Sequence, residues 1–410
     1  MNSYVRWLVS TGRFAPNPAA LLSGVAMRLC ADGLDLTRMN VQPRTLHPQI
    51  AMLLYTWRPL EVASEMRTGT RIVHSEATHQ DFGVVQEIAL PHGTSGRAAT
   101  DTEAFRASPF FAIYEGATHI RSRIATGATT FDFPILRDLA AAGATDYAAW
   151  PLRLSDGSVS AFSVTTKKTG GFTDADIEGL ESLLDPLAMC MEVHLRGYVA
   201  QSLLHTYLGR GPGEAVLAGR VCRGDLVHLE AAIWFSDLRG FTRASATVEA
   251  TELVEWLNEY FGAIALPVEE NEGEILKFIG DAMLAVFPVT SERSRAACCE
   301  AALRAAVSGN AALDALNGRR VARGLPELEH GIGLHVGSVE YGNIGADRRL
   351  DFTVIGQAVN LASRIESLCG KLGRRTLASA DLAALARGDL APVGSFELKG
   401  LPGRHVVHGL

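Results

Sequence analysis

The sequence predicts an α+β protein whose second half runs strand, helix, hairpin, helix, strand. Two apolar, β-rich runs, 226–235 and 275–287, each meet an acidic residue: Asp237 where the first runs out, and Asp281 in the middle of the second. Apolar residues at helical spacing separate these runs (247–263) and follow them (291–323). The first half instead places short β-like runs between two helical patterns, which predicts an α/β unit of its own.

The stretch ILKFIGDAMLAVF (275–287) organises the rest. Ile275 to Ile279 and Ala282 to Phe287 are strand-like, and Gly280-Asp281 between them reads as a tight hairpin turn. Such a turn lifts the Asp281 carboxylate to the strand ends. Asp237 lies where Ala231–Phe235 gives way to a Gly-containing turn that starts a helix. Two carboxylates at the ends of neighbouring strands suit Mg²⁺, which prefers oxygen ligands and usually also contacts substrate phosphates. Taken singly, each is more simply a solvated strand-end or turn Asp.

From the N-terminus, residues 17–32 predict a helix, with Asn17 as cap, Pro18 in its first position and Leu21, Leu22, Val25, Ala26 and Leu29 on one side. Short β-like runs follow around Met52–Trp57 and Arg71–Ser75, and residues 86–103 read as a loop. Phe133–Ala142 predicts a helix. Tyr147–Leu152 and Ser160–Thr165, joined by Ser155-Asp156-Gly157, predict a hairpin. After Gly170-Gly171-Phe172, Thr173 caps a long helix carrying Ile177, Leu180, Leu183, Leu184, Leu187 and Met191 on one face. That helix is expected to reach a Gly-rich break at 209–213, with a short heptad-like seam along it. Beyond 225 the predicted elements are strand 226–235, helix 247–263 (Leu253, Leu257, Tyr260, Phe261 and Ile264 inward), the 275–287 hairpin and helix 291–323. A β pair at 329–344 and 351–355, helix 357–370 and a terminal strand near Phe396–Lys399 complete them. This order is the ferredoxin-like βαββαβ pattern, which hosts many functions.

Composition bounds the function. The 410 residues suffice for two or three domains, and 47% hydrophobic with 20% charged residues describes a globular chain. A net charge of −7 argues against a nucleic-acid surface. Cys30, Cys190, Cys222, Cys298, Cys299 and Cys369 show no CxxC spacing, which predicts reduced thiols and neither disulfides nor zinc. No run approaches the roughly 18 apolar residues of a membrane span, and a cytoplasmic protein is expected.

FSDLRGFT, ILKFIGDAMLAVF, YGNIGADRRLDFTVIGQAVNLASRIE and FELKG, in this order over residues 225–410, resemble the catalytic domain of class III nucleotidyl cyclases. That family makes cyclic AMP or cyclic GMP from the triphosphate and works as a dimer with sites built across the subunit interface. The resemblance implies a metal set of Asp237, Leu238 and Asp281 holding two Mg²⁺ or Mn²⁺ ions. Phe241 and Thr242, at a helix start, would meet phosphates. Lys277 would address N1 of adenine and Thr353 its amine. Guanylate cyclases carry an acidic residue in place of that lysine, so the pair implies ATP. The threonine variety also resembles a subgroup often stimulated by bicarbonate. Asn360 would orient the ribose and Arg364 would stabilise charge on the α-phosphate, four residues apart on one helix face. Arg349, or its neighbour Arg348, and Lys399 would clamp the outer phosphates. Each of these has a plainer alternative: an outward lysine, a helix-surface pair in which Arg364 reaches Glu366, a solvated loop charge.

WPLRLSDGSVSAFSVTTKKTGGFTDADIEGLESLL resembles the end of a GAF domain. The expected division is therefore a GAF-like sensor (1–192), a helical connector (193–224) and a catalytic domain (225–410). His47, His74, His79 and Cys30 could line a ligand or haem pocket, although satisfied or exposed histidines are the simpler reading. Trp57, Phe110, Phe111 and Tyr114 read as core. The expected protein is an adenylate cyclase homodimer that takes ATP and answers an unknown small-molecule or ion signal. A non-catalytic nucleotide-binding sensor and a guanylate cyclase are the alternatives. A diguanylate cyclase or palm-type polymerase is disfavoured by the lack of a GGDEF-like run and by NLASR.

Overall fold

The computed structural model describes residues 3–46, 50–60, 71–73, 83–91, 102–125 and 127–410. It divides into two compact units, Met1–Leu203 and Leu204–Leu410.

The first unit opens with α1 (Ser3–Ser10) and α2 (Pro18–Ala31); Asn17 caps α2 by accepting from the Ala20 N–H, as its sequence predicts. Its described strands are β1 (Leu36–Gln42), β2 (Ile50–Arg58), β3 (Arg71–Val73), β4 (Val84–Pro91), β5 (Ile120–Arg123), β6 (Asp146–Arg153) and β7 (Val159–Thr166). They form an antiparallel sheet in the order β3-β4-β2-β1-β7-β6-β5. Short helices α3 (Glu103–Arg106), α4 (Pro109–Tyr114) and α5 (Pro134–Ala141) are spaced between the strands. The long α6 (Asp174–Leu208) begins with reciprocal bonds between Thr173 and Asp176. Ile177, Leu180, Leu183, Leu187 and Met191 on α6 join Leu21, Leu22, Trp57, Trp150 and Phe162 in one apolar core.

Two expectations fail in this unit. Residues 86–91, expected in a loop, belong to β4, which lies between β2 and β3. Sheet neighbours on both sides satisfy its backbone, so Gln86 and Glu87 do not prevent a strand. Phe110, Phe111 and Tyr114 are not fully buried like Trp57; they sit half-buried on α4. His47, His74 and His79 lie outside the described residues.

Within the second unit, Gly209, at φ +90, ends α6, and α7 (Arg210–Leu217) starts at once. The break is thus one residue long, and Gly211 and Gly213 sit inside the new helix. The strands are β8 (Leu226–Leu238), β9 (Glu274–Ile279), β10 (Ala282–Pro288), β11 (His330–Ala346), β12 (Arg349–Ile355), β13 (Thr376–Ser379), β14 (Ala391–Glu397) and β15 (Arg404–Gly409). Helices α8 (Phe241–Ala244), α9 (Ala250–Glu270), α10 (Arg295–Ala322), α11 (Gln357–Glu366), α12 (Cys369–Leu372) and α13 (Ala380–Ala383) connect them. The sheet order is β14-β15-β13-β11-β8-β10-β9, with β12 paired to β11. Its core, β11-β8-β10-β9, is the fourth-first-third-second order of the βαββαβ pattern.

Helices α9 and α10 cover one face, burying Tyr260, Ile264, Cys298 and Cys299 against Trp234, Met283 and Phe287. Burial of a side chain such as Phe287 contributes about 1.5–3 kcal/mol relative to exposure. Helix α9 runs past its expected end at 263 because Ile264 and Val268 continue its apolar face. Helix α11 covers the opposite face, packing Ala358 and Ala362 on Ala231, Ile233, Leu284 and Val286. It stops at Glu366, short of the expected 370, and a separate turn, α12, follows. Every cysteine is a free thiol.

Candidate active site

The hairpin predicted at 275–287 forms as β9 and β10, with Gly280 in the turn at φ +65. In the sheet Asp237 stands opposite Ala282, so the turn sets Asp281 beside it. The two carboxyls lie within hydrogen-bonding reach of each other. Burial first, and then the Asp281 carboxylate, push the Asp237 carboxyl up to about 7, while the Leu238 backbone N–H pulls the other way. Asp237 Oδ1 is buried with no hydrogen-bond partner among the described residues. Among the described residues, neither carboxylate has a lysine, arginine or histidine within ion-pair distance. A crowded pair of hard oxygen donors, one of them orphaned, fits a divalent cation with oxygen preference. Among the described residues no group of three or more His, Cys, Asp or Glu side chains is placed to hold a metal. Other donors must therefore come from backbone, water or substrate. The Leu238 side chain is only 6% exposed and packs in the apolar core, which leaves its backbone carbonyl as the one group it could offer.

A third carboxyl approaches from α11. Gly331 and Gly333 of β11 pair with Asp237 and Phe235 of β8. A Cβ on Gly333 would stand 2.3 Å from the Ala362 carbonyl oxygen, and one on Gly331 would stand 2.4 Å from the Glu366 carboxylate. These alternate glycines clear one face of the strand so that α11 can lie close to the sheet. Glu366 therefore faces the strand that neighbours Asp237, and Arg364 does not pair with it. Burial, followed by the Asp237 charge, raises the Glu366 carboxyl to about 7, with Arg239 opposing. Sequence reasoning passed over Glu366 as a member of the acidic group. The alternating glycines of HGIGLHVG were the available signal.

Lys277 projects from β9, where it pairs with Leu284 of β10. Its ammonium is ion-paired with Asp351 of β12. Two residues along the same strand, and so on the same face, Thr353 is 9% exposed opposite Gly342. The fold thus ties the lysine proposed from sequence to a carboxylate on the strand that carries the threonine, two residues away on the same face. The outward, solvated lysine is not what forms.

Asn360 and Arg364 share the exposed side of α11, and among the described residues neither makes a side-chain hydrogen bond or ion pair. Arg348, Arg349 and Lys399 are likewise exposed, with no side-chain partner among the described residues. The neighbouring Asp347 is taken by Arg223. Phe241 is half-buried against the core and starts the one-turn helix α8 after Gly240, whose φ is +74; Thr242 beside it is exposed. The first amides of such a turn have no partner within it. One chain therefore sets Asp281 beside Asp237, ties Lys277 to the strand of Thr353, and leaves Arg348, Arg349, Lys399, Arg364 and Asn360 exposed. Phe278, Ile279 and Ile355, on the same two strands as the Lys277 pair, are exposed apolar side chains at 51%, 48% and 47%.

The sequence profile of the adenylate and guanylate cyclase catalytic domain matches residues 227–409. An adenylate cyclase of Anabaena cylindrica is 41% identical over 145 residues, which are 34% of this chain and 28% of that protein. Adenylate cyclase 1 of Rhizobium meliloti is 34% identical over 175 residues, 42% of this chain and 26% of that one. The chain thus spans about a quarter of the length of these relatives. Among solved structures, the adenylyl cyclase CyaB from P. aeruginosa is similar over 45% of this chain and 95% of that chain, at 29% identity and a TM-score of 0.42.

Proposed function

Residues 227–409 belong to the class III adenylate and guanylate cyclase catalytic domain family, and on that premise we propose that this chain is an adenylate cyclase converting ATP to 3′,5′-cyclic AMP and pyrophosphate. In this reaction the ribose 3′-oxygen forms a bond to the α-phosphorus as the bond from that phosphorus to the bridging oxygen of pyrophosphate breaks. The observation that carries the reading is the Asp237–Asp281 contact with its orphaned, buried Asp237 oxygen.

Asp237 and Asp281, with the Leu238 carbonyl, would hold two Mg²⁺ or Mn²⁺ ions. When bound, such ions supply Lewis-acid stabilisation of the attacking and leaving oxygens. The chain's own groups do the rest. Lys277 donates to a ring nitrogen of adenine, and Thr353, already buried, reads the exocyclic amine. A site built on hydrogen bonds rejects a base with the wrong donors more strongly than an apolar pocket does. Asn360 positions the ribose. Arg364 places a planar, permanently charged fork where negative charge accumulates at the α-phosphate. Arg349 or Arg348, Lys399 and the amides at Phe241 and Thr242 hold the outer phosphates.

Asn360 and Arg364 point away from their own chain's carboxylates, on the exposed side of α11. That arrangement supports a two-fold homodimer in which each site combines the carboxylates of one protomer with the outward-facing groups of its twin. The exposed Phe278, Ile279 and Ile355 give such an interface apolar surface to bury. The N-terminal region is read as a GAF-like sensor (1–192), joined through a connector (193–224) to the catalytic domain (225–410). No helix of the described residues is long and apolar enough to cross a membrane.

The test is incubation of the purified chain with ATP or GTP and Mn²⁺ or Mg²⁺, with the products separated chromatographically. Cyclic AMP formed in preference to cyclic GMP is expected. A folded dimer that binds ATP without turnover would point to a nucleotide-binding sensor, and a preference for GTP to a guanylate cyclase.

A further inference from the structure

The first unit contains two adjoining cavities whose shared wall includes Arg38, Asp138 and Thr165. One, of about 320 Å³, is lined on its apolar side by Leu54, Phe110, Pro134, Ile135 and Leu139. Its size is at the small end of ligand cavities, about 300–1,000 Å³. The other, of about 270 Å³, gathers Arg38, Arg58 and Lys167, three cations against the single carboxylate of Asp138.

The polar groups at the junction are arranged and unsatisfied. Asn40 Oδ1 accepts from Arg38 Nε at 3.2 Å and from Thr56 Oγ1 at 2.8 Å, while Asn40 Nδ2 donates to Ser163 Oγ at 3.0 Å. The amide is thereby held, and it orients the guanidinium by its inner nitrogen. Among the described residues the two terminal nitrogens of Arg38 have no partner, and Asp138 lies outside ion-pair distance. Burial, with the nearby Arg58 charge, lowers the Arg38 guanidinium to about 10. Thr165 Oγ1, on a residue 1% exposed, and Arg58 Nε are buried without hydrogen-bond partners among the described residues. A buried hydroxyl and a buried guanidinium nitrogen left bare are each unfavourable unless something bonds them. No part of the catalytic reading uses any of these residues.

We propose that this double cavity is a binding site for a small organic carboxylate. Its apolar body fills the lobe lined by Phe110 and Leu139, and its two oxygens meet the free fork of Arg38. A planar anion with two oxygens matches the two terminal nitrogens of a guanidinium. The Thr165 hydroxyl donates to the same head group, and Arg58 with Lys167 supplies the positive field behind it. The apolar lobe offers only Arg38 as a cation, which suits a singly charged head group better than a phosphate dianion.

The experiment titrates the full chain calorimetrically with 3-phenylpropionate and hexanoate, their primary amides, and phenyl phosphate, and follows the melting temperature in parallel. The expected result is saturable binding of at least one carboxylate, one per chain, with a raised melting temperature and at least tenfold weaker binding of its amide. Arg38→Lys keeps the charge but loses the fork, and should weaken carboxylate binding at least tenfold. If that variant does not fold, Thr165→Val should weaken binding severalfold by removing the donor at nearly constant volume. Equal binding of acid and amide, no binding by either carboxylate at millimolar concentration, tighter binding of phenyl phosphate, or an unchanged affinity in the folded variants would each overturn the proposal. Failure here leaves the cyclase reading untouched, because that reading is tested by turnover of ATP.

Discussion

Lys277 of β9 and Asp351 of β12 are ion-paired although 74 residues separate them in the chain. The pair ties the hairpin that carries Asp281 to the strand that carries Thr353. Asp351 is 62% exposed, so the ion pair contributes little stability, about 0–1 kcal/mol. Its consequence is to hold the ammonium in place. Replacing Asp351 with Asn should leave the fold intact and raise the KM for ATP about fivefold, with kcat little changed, because the lysine is no longer pre-positioned. Lys277→Glu should lower the ratio of kcat/KM for ATP over GTP at least about tenfold. Steady-state kinetics with both nucleotides checks each; unchanged discrimination in Lys277→Glu would remove that residue from base reading.

The Asp281 carboxylate in the hairpin turn opposes ionisation of Asp237 at the end of β8. Asp237 is held up at about 7, above the unfolded value, so its ionisation costs stability in the folded chain without metal. Asp237→Asn and Asp281→Asn should each lose at least about a hundredfold in kcat. Each should also raise the melting temperature of the metal-free chain, by about 1–2 kcal/mol in stability. Added Mn²⁺ should stabilise the parent and not the variants. An equal Mn²⁺ shift in all three chains would contradict the metal assignment.

Among the described residues Arg364 has no side-chain partner, so its removal leaves nothing buried and unpaired. Arg364→Ala should therefore unfold at the parent temperature while kcat falls about 10²-fold or more, with KM changed far less. A rise in KM alone would assign it to ground-state binding instead. Mixing this variant with Asp237→Asn should restore part of the activity, since a heterodimer then has one intact site. Lack of any rescue in verified heterodimers would argue against sites shared between protomers.

His330 is fully buried and bonds Asn310 Oδ1 through Nε2 at 2.8 Å, leaving Nδ1 buried and without a partner among the described residues. Burial, reinforced by Arg375 and Arg239, lowers this imidazole to about 3. A histidine with an ordinary value near 6.5 in the unfolded chain then binds a proton that the folded chain does not, throughout the window from about 6.5 down to about 3. Stability is lost as pH falls through that window. Against His330→Gln, which cannot titrate, the parent should lose about 2 kcal/mol between pH 7.5 and pH 5, read from urea midpoints. A constant difference between the two chains would show that the histidine is not buried neutral.

Much of this was legible in order along the chain. The 275–287 hairpin, the Asn17 and Thr173 caps and the β6–β7 turn follow from neighbours a few residues apart, and local rules reach that far. Strand β4 was missed because its polar Gln86 and Glu87 conceal a strand that depends on partners on both sides. Glu366 was passed over as a member of the acidic group and entered only in the plainer alternative for Arg364, because helix spacing reveals neighbours on the helix and not what the helix is pressed against.

By itself the sequence determined the two acidic positions, the order of elements around them and the motifs that mark the cyclase domain, since a Gly-Asp turn and alternating apolar residues dictate local backbone. Only the tertiary structure decided that Lys277 would meet Asp351, that glycines on β11 would let Glu366 approach Asp237, and that Arg38 would line a cavity. Those contacts arise between segments far apart in the chain, where sheet register and helix seating, rather than local preference, choose which charges face one another.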